Sequence, residues 1–493
     1  MVSCGRNLID FANVLKAFIG SFYLSIAYWF SQCGLALSLI CIVVIALATD
    51  YCTNLMIVCK YEIIDRLTII DKDEQDITAE EKEHQNKERE RIGRNLTYAE
   101  IANFSLGKKA LYVVNAALFI TQFGYTVQYI IFLGNTVQSL FPFGDKPYTN
   151  TSNVTDDGGL YPVVDNARVT TSPTYNLVVL IPIPFFMACS LLRDVRNLAP
   201  ISLAGNAAVI CGFFATLGII YNDFHVADEI EYFKWAALPM LFGAVSGAFE
   251  GIGTVIPVEA SMVGNRHMYP YFLHLTICIL ALILSSLGIS GYLRYGHATQ
   301  QIIIANLIEE NDSIFLTIIY TLICISVMLT YPLQLFPVIE VIENALFLPG
   351  KIFGPKTLVV ESVNGEGGIQ EASETDALIK DKSKVGLAVA VPKSVSAWKR
   401  NLIRLLLICA EVGIAILFKD QYAYFGSIFG TIGASVLGYF LPPLIHIKLK
   451  RHQVWWGITA LNVFLLTVFG VIGGSTSLGL GIKTIVDRMI NNK

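Results

Sequence analysis

The chain has few charged residues for its length. Of its 493 residues, 54% are hydrophobic and only 15% are Asp, Glu, Lys or Arg, whereas soluble domains contain about 25% charged residues. So few charges could not cover the surface of a soluble protein of this size, which excludes that class. The net charge of −4 also argues against a nucleic-acid partner, because the chain has no surplus of Lys and Arg to displace the counterions of phosphates.

Several chemical motifs are missing as well. No Gly-x-x-x-x-Gly-Lys-Ser/Thr string occurs, so we do not expect the chain to use ATP. No group of His and Cys residues has the spacing of a zinc site, and no metal is predicted. The ten cysteines lie in or beside apolar segments, which argues against a disulfide framework. We therefore expect a protein that is not an enzyme and has no bound cofactor.

Long apolar runs fill most of the chain. About half of the charged residues lie from Lys60 to Lys109 and from Gly350 to Arg400. A helix needs about 20 apolar residues to cross a bilayer, and the runs are too long and continuous for the alternating strands of a β-barrel. The sequence predicts an all-α polytopic membrane protein with about 11 transmembrane helices, at 8–29, 34–59, 109–134, 174–192, 200–221, 235–256, 269–292, 313–347, 401–418, 422–446 and 453–476.

Basic residues are distributed unevenly among the predicted loops. With the N-terminus in the cytosol, the cytosolic side holds about two dozen of the 35 Lys and Arg residues and the opposite side about eight. Cytosolic loops carry the excess of Lys and Arg in membrane proteins, so a cytosolic N-terminus is predicted. The glycosylation sequons at Asn150, Asn153 and Asn311 then lie on the extracellular or lumenal side, where glycans are added.

This orientation assigns a side of the membrane to each polar segment. Residues 1–476 form the predicted transmembrane domain of 11 helices in the lipid bilayer. The polar segments are predicted to be, in chain order, a charged cytosolic loop at 60–108, a glycosylated extracellular or lumenal loop at 135–172, a disordered cytosolic loop at 349–400 and an extracellular or lumenal tail at 477–493.

The second cytosolic loop contains a short acidic string. Glu374, Leu378 and Ile379 are spaced as in an acidic dileucine sorting signal for lysosomes or endosomes, although strings this short also arise by chance. The sequence is compatible with either the plasma membrane or a lysosomal or endosomal membrane. It also predicts a cytosolic sorting or signalling partner at the inner loops.

Clusters of small residues interrupt two spans at matching positions. Five spans separate the first from the sixth, so they cross the membrane in opposite directions, as the discontinuous helices of a five-plus-five inverted repeat (LeuT-like) do. Unwound turns free N–H and C=O groups that attract the carboxylate and ammonium of an amino acid. The alternative is that the glycines allow close helix packing. The predicted substrate-binding residues are Ile19, Gly20, Ser21, Phe22, Phe249, Glu250, Gly251 and Gly253.

Glu250 lies about 15 residues into the sixth span. An ionised carboxylate there costs several kcal/mol unless it is protonated, paired or hydrated. One interpretation is a hydrogen bond to the neighbouring unwound backbone, and the other is a proton carrier that binds a proton on one side and releases it on the other. Glu250 is the predicted proton-coupling residue. Glu411 in the ninth span is a second buried acid, for which a structural partner is expected.

The two interrupted spans resemble those of the amino acid/auxin permease family, in particular its proton-assisted and vacuolar or lysosomal amino acid transporters. Residues Lys16 to Ala27 are similar to the pattern Lys-x-x-Ile-Gly-Ser/Thr-Gly-x-Leu-x-x-Pro. Ala248 to Gly253, with Pro257 and Glu259, resemble Ala-Phe-Glu-Gly-Ile-Gly-x-x-x-Pro-x-Glu. The resemblance implies an eleven-helix protein that carries small neutral amino acids by alternating access, usually together with protons.

Three positions depart from the family pattern. Phe22 and Ala27 stand where the family has glycine and proline, so a phenyl ring would occupy space near the substrate and one cause of the helix break is lost. Asn13 stands where proton-coupled animal members tend to have a histidine. Two alternatives remain open: an amino-acid sensor or scaffold with little net transport, and a carrier coupled to sodium with help from Ser326 or Thr330.

Overall fold

The described part of the chain is built mainly of helices. The structure is a computed structural model that describes residues 2–68, 79–140, 174–191, 199–222, 224–249, 251–262, 264–310, 314–347, 396–450 and 455–491. Over these residues it contains α-, 3₁₀- and π-helices and no β-strand. The predicted all-α class is confirmed for this part of the chain.

The first nine helices precede residue 223. They are α1 (Val2–Phe18), α2 (Ile26–Cys33), α3 (Leu35–Thr68), α4 (Ala79–Asn95), α5 (Tyr98–Leu106), α6 (Lys108–Leu140), α7 (Tyr175–Leu180), α8 (Ile183–Ser190) and α9 (Ala199–Asn222). A 3₁₀ segment, Ser21–Ser25, lies between α1 and α2.

The remaining helices include two long π-helical stretches. The α-helices are α10 (Leu238–Ala248), α11 (Ile252–Ser261), α12 (Tyr269–Tyr295), α13 (Ile303–Glu310), α14 (Ile314–Phe347), α15 (Ala397–Leu417), α16 (Tyr422–Gly433), α17 (Leu441–Leu449), α18 (Trp456–Phe464) and α19 (Gly474–Asn491). The π-helical stretches are Ala434–Phe440, between α16 and α17, and Leu465–Gly473, between α18 and α19.

Seven helical segments among the described residues are long and apolar enough to cross a membrane: Leu35–Thr68, Lys108–Leu140, Trp235–Ser261, Arg266–Ala298, Leu316–Phe347, Tyr422–Leu449 and Trp456–Ile490. An eighth results if Arg6–Phe18 and Phe22–Cys33, bent by 46°, form one span. The other three predicted spans coincide with α7–α8, α9 and α15, which are shorter or more charged. The chain is therefore a multi-pass membrane protein, while the count of eleven stays a prediction.

The charged segment at 60–108 contains regular helices. The α3 helix continues to Thr68, and α4 and α5 follow within the segment. The start of α5 has a capping box, in which the Thr97 side chain accepts from the Glu100 N–H and the Glu100 carboxylate accepts from the Thr97 N–H. The Tyr98 hydroxyl donates to the Leu437 carbonyl at 2.6 Å, which joins α5 to a π-helical stretch. High charge in this segment therefore does not prevent it from packing against the transmembrane helices.

Glycines bring α10 and α16 close together. A Cβ atom on Gly247 would lie 2.7 Å from the Gly430 Cα atom, so any larger residue would push the two helices apart. The Ser427 hydroxyl also donates to the Met240 carbonyl across this contact at 2.7 Å. Close packing, the alternative explanation for the sixth-span glycines, is what the structure shows for Gly247.

Candidate functional site

The first span is interrupted at the position that the sequence predicts. The last helical hydrogen bond of α1 runs from the Ile19 N–H to the Leu15 carbonyl at 3.1 Å. Gly20 is extended, with φ −121° and ψ −173°, and the chain re-enters a helix through the 3₁₀ turn that begins at Ser21. The Ser25 hydroxyl donates to the Phe22 carbonyl at 2.9 Å and stabilises this turn. The side chain of Ser21 is outside the described part of the structure.

The sixth span is interrupted in a similar way. The α10 helix ends at Ala248, and Phe249 follows with φ −93° and ψ 4° and a fully buried side chain. Gly251 has φ −142° and ψ 2°, and α11 begins at Ile252. Glu250, the predicted proton carrier, falls in this gap and lies outside the described residues.

The two interruptions contact each other. A Cβ atom on Gly251 would lie 2.8 Å from the Ala17 carbonyl oxygen and 2.7 Å from the Phe18 ring. A glycine is required there, because only a residue without a side chain lets the sixth-span break approach the end of α1 this closely. The Gly20 position lies against α6 instead, where a Cβ atom would be 3.5 Å from the Tyr129 hydroxyl. Of the predicted substrate-binding residues, Gly251 is thus brought against the end of α1, directly before Ile19 and Gly20 in the chain.

A small, partly enclosed space, the central cavity, lies beside the first-span break. Its volume is about 10 Å³, which is about the size of one water molecule. Phe22 is 6% exposed and its ring is directed at Gly426 of α16. In this conformation the cavity has no room for an amino acid. Its lining is almost wholly apolar: Ile19, Gly20, Phe22, Tyr23, Val209, Ile210, Phe213, Ala248, Leu280, Ile283 and Leu284.

Polar residues of α6 face both interruptions, and sequence reasoning missed them. Gln122 and Gln128 are 4% and 2% exposed. Gln122 Oε1 and Gln128 Nε2 have no hydrogen-bond partner among the described residues. Gln122 lies near Gly253, with Nε2 3.9 Å from where a Cβ atom would stand, and Gln128 lies beside Gly426 near Phe22. Unpartnered buried amides cost free energy and suit a polar ligand. The signal in the sequence that could have identified these residues was the presence of two glutamines inside an apolar span.

A layer of aromatic and basic side chains, the tyrosine–arginine layer, closes one end of the site. The hydroxyls of Tyr28 and Tyr424 lie 2.5 Å apart. Arg488 of α19 donates from Nη2 to the Tyr424 hydroxyl at 2.7 Å, and its guanidinium carbon lies 4.4 Å from the Tyr424 ring centroid. An open vestibule of about 640 Å³ borders this layer and is lined by Tyr28, Gln32, Asn135, Thr136, Gln138, Ser139, Gln300, Gln301, Ile302, Ile304, Ala305, Asp420, Tyr422 and Arg488.

A buried ion pair fastens α11 to the far end of α3. Lys60 Nζ lies 2.5 Å from Glu259 Oε2, and both side chains are 0% exposed. The Tyr61 hydroxyl donates to Glu259 Oε1, and Arg266 Nε lies 3.9 Å from the same oxygen. Because α3 begins next to α2 at Leu35, Lys60 is about 38 Å along the helix from the vestibule end. The ion pair and the tyrosine–arginine layer, the two closures, thus join helices towards opposite ends of the site.

Other predicted residues have different positions. Ser326 donates to the Gly205 carbonyl of α9 at 2.6 Å, and Thr330 donates to the Ser326 carbonyl at 2.9 Å, so both face α9. Glu411 has structural partners, Thr126 and Tyr331. The predicted glycosylation and sorting residues lie outside the described residues: Asn150, Asn153, Asn311, Glu374, Leu378 and Ile379. Among the described residues, no group of His, Cys, Asp and Glu could hold a metal ion.

Known proteins similar to this chain include amino acid transporters of yeast, plants and flies. Vacuolar amino acid transporter 4 of Saccharomyces cerevisiae is 25% identical over 377 residues, which are 73% of this chain and 46% of that protein. Amino acid transporter AVT3B of Arabidopsis thaliana is 22% identical over 474 residues, 94% and 90% of the two chains. The proton-coupled amino acid transporter-like protein pathetic of Drosophila melanogaster is 24% identical over 347 residues, which are 68% of this chain and 63% of that protein. The chain spans about half the length of the yeast relative.

A family model covers most of the chain. The model, described as transmembrane amino acid transporter protein, matches residues 7–68 and 82–486, which include both interrupted spans and the Lys60–Glu259 pair. The resemblance to the amino acid/auxin permease family is thereby confirmed. Members of such a family are transporters, which supports a role without chemical catalysis. This protein belongs to the transmembrane amino acid transporter family.

Proposed function

We propose that the protein is a secondary active transporter of small neutral amino acids, coupled to protons, that works by alternating access around the interruptions of its first and sixth spans. The observation that carries this proposal is the contact of Gly251 with Ala17 and Phe18, which puts the sixth-span break against the end of α1, just before the first-span break. Family membership and the amino-acid transporter names of the relatives support it. The proposal includes the eleven-helix, five-plus-five repeat that the matching breaks predict.

The chemistry of the two turns suits a zwitterion. Free N–H groups at the start of a helix attract a carboxylate, and free carbonyls at the end of a helix attract an ammonium group. Gln122 and Gln128 would add an amide acceptor and an amide donor from α6. The apolar lining of the central cavity favours small neutral side chains, because a charged one would lose its water without gaining a partner.

The closed conformation indicates how the cycle would proceed. The central cavity holds about 10 Å³ and the Phe22 ring lies against Gly426, so substrate entry would require Phe22 to turn away from Gly426 and one closure to open. Glu250 would bind the coupled proton next to the substrate. Replacing Glu250 with Gln should abolish accumulation driven by a pH gradient while sparing exchange, and an unchanged pH dependence would refute its role.

Reconstituted transport tests the function directly. The purified protein in proteoliposomes should accumulate glycine, alanine or proline when a pH gradient is imposed, and should do so equally well with choline in place of sodium. Dependence on sodium would instead support the sodium-coupled carrier. If no amino acid under any gradient gave a flux above that of protein-free vesicles, the proposal of a transporter would be refuted.

A sensor or scaffold is the second candidate function. Phe22 favours it, because the ring fills the space beside the first-span break. Replacing Phe22 with Gly separates the two candidates. A gain of flux from a silent parent would support a sensor in which the ring blocks transport, whereas a loss of flux would mean that Phe22 shapes a working substrate site.

The vacuolar relatives lead us to propose an organellar membrane, lysosomal or endosomal, with the N-terminus in the cytosol and glycans at Asn150, Asn153 and Asn311. Glu374, Leu378 and Ile379 would then bind a cytosolic sorting partner. Changing both Leu378 and Ile379 to Ala should move the protein to the cell surface. Unchanged localisation would show that the string is a chance match.

A further inference from the structure

Glu411 is a carboxylate buried at the junction of three helices, apart from the two interruptions. It lies on α15 and is 0% exposed. The Thr126 hydroxyl of α6 lies 2.7 Å from its Oε1, and the Tyr331 hydroxyl of α14 donates to its Oε2. Phe186 of α8 stacks on the Tyr331 ring at a centroid distance of 3.8 Å and holds that hydroxyl in place. Each carboxylate oxygen therefore has one fixed hydroxyl partner.

No cation balances this carboxylate in the described part of the chain. Arg404, about two turns away on α15, forms an ion pair with Glu343 at 2.7 Å and donates to the Ser190 carbonyl. Arg400 also pairs with Glu343. The helices packed against α15 also carry Lys108, Lys109, Tyr112, Tyr125 and Tyr129 on α6, Tyr175 on α7, Cys189 on α8, and Tyr320, Cys324 and Glu340 on α14. The two lysines are at least 17 residues before Thr126, about 25 Å along α6. Of the tyrosines, Tyr175 donates to the Ala415 carbonyl and Tyr125 to the Gly247 carbonyl.

The Thr126 hydroxyl has two possible hydrogen-bond acceptors but only one proton to donate. Its hydroxyl lies 2.8 Å from the Phe123 carbonyl oxygen as well as 2.7 Å from Glu411 Oε1. When Glu411 is ionised, the hydroxyl donates to Oε1. When a proton is bound at Oε1, the acid donates to the hydroxyl oxygen, and the hydroxyl proton turns to the Phe123 carbonyl. Tyr331 donates to Oε2 in both states, so neither state leaves a buried polar atom without a partner.

We propose that Glu411 is a second proton-binding site, and that Thr126 transmits its protonation state to α6. The proton comes from water and binds at Oε1, and the first change in the protein is rotation of the Thr126 hydroxyl. A threonine hydroxyl that donates back to the carbonyl one turn earlier changes the local bend of a helix. Thr126 lies between Gln122 and Gln128, so this change occurs in the part of α6 that faces the two interruptions.

Infrared difference spectroscopy on the purified, membrane-embedded protein tests the proposal without any substrate. Between buffers of about pH 5 and pH 9, the wild-type protein should lose the carbonyl stretch of a protonated carboxylic acid, and this signal should be missing from Glu411→Gln. Persistence of the full signal in Glu411→Gln would overturn the proposal. So would a Glu411 signal that stays unchanged across the whole pH range, because a permanently neutral acid is a structural hydrogen bond only.

The Thr126→Val variant tests the transmission step and does not depend on the stability of Glu411→Gln. Without the hydroxyl, the ionised carboxylate loses a donor, so the signal should persist to pH values at which the wild type has lost it, by about one pH unit. Thr121→Val is the matched control, because Thr121 is buried on the same helix and its hydroxyl has no partner among the described residues. If the carboxylic-acid signal disappeared over the same pH range in both variants, the role of Thr126 would be overturned. Because this measurement needs no flux, it stands or falls independently of the transport assay.

Discussion

The two closures that flank the central cavity are built from different chemistry. At the vestibule end, the tyrosine–arginine layer is held by hydroxyl hydrogen bonds and one cation–π contact, and it borders an open volume of about 640 Å³. At the opposite end, Lys60 and Glu259 form an ion pair in which neither side chain is exposed. Water can replace contacts of the first kind as they separate, whereas separating a buried ion pair leaves two charges that must be hydrated.

This difference indicates which end opens more readily. Contacts such as those of Arg488 are worth about 0.5–1 kcal/mol each near solvent, while loss of one partner from a buried ion pair costs about 3–5 kcal/mol. The described conformation should therefore open first towards the vestibule. Opening at the Lys60 end needs a further event, such as substrate or proton binding, that compensates for separating the pair.

The largest effect is expected when Lys60 is replaced with Met. The change leaves the Glu259 carboxylate buried with Tyr61 and a distant Arg266, and should lower the free energy of unfolding by about 3–5 kcal/mol, measured by denaturant unfolding of the purified protein. The double variant Lys60→Met/Glu259→Met should recover most of this loss, because it removes both charges.

The matched control for this prediction is Lys87→Met on α4. Lys87 pairs with Glu83, but the two side chains are 75% and 68% exposed. Lys87→Met should therefore lower the free energy of unfolding by less than about 1 kcal/mol. If Lys60→Met were no more destabilising than Lys87→Met, the two closures would not differ in strength.

A smaller effect is expected for Tyr61→Phe, which removes one donor from the Glu259 carboxylate and keeps the ion pair. A hydrogen bond to a charged group contributes about 1.5–3 kcal/mol, and the free energy of unfolding should fall by about that amount. Tyr269→Phe is the control, since the Tyr269 hydroxyl is buried without a hydrogen-bond partner in the described residues. Equal losses from both substitutions would show that removing a buried hydroxyl in itself, and not the loss of the carboxylate contact, explains the effect.

The sequence predicted the interrupted spans because their signal is local. Gly20 next to Ser21 and the Gly251–Gly253 repeat stand out within continuous apolar runs, and both breaks occur at those positions. The closures were not predicted, because Lys60 and Glu259 are 199 positions apart. Each looked like a residue at the edge of a span, and no periodic pattern joins them.

Helices at the edges of the membrane domain were also missed. The segment at 60–108 was interpreted as a charged loop, although Thr97 and Glu100 have the spacing of a capping box. Positions 477–493 were predicted to form a tail, yet α19 continues to Asn491 and carries Arg488 to the vestibule. In both cases charged residues hid helices that contact the rest of the bundle.

The smallest loss of stability is expected for Arg488→Ala, together with a clear change in local opening. Removing the guanidinium leaves the Tyr28 and Tyr424 hydroxyls bonded to each other, so the free energy of unfolding should fall by only about 0.5–1 kcal/mol. If the layer governs opening at the vestibule, that loss appears mainly as faster hydrogen exchange in α2, by up to about fivefold. Lys483→Ala, an exposed substitution on the same helix, should leave exchange unchanged. Exchange that accelerates equally at the Lys60 end of α3 would mean that the two ends open together, and the contrast in their chemistry would not set the order of opening.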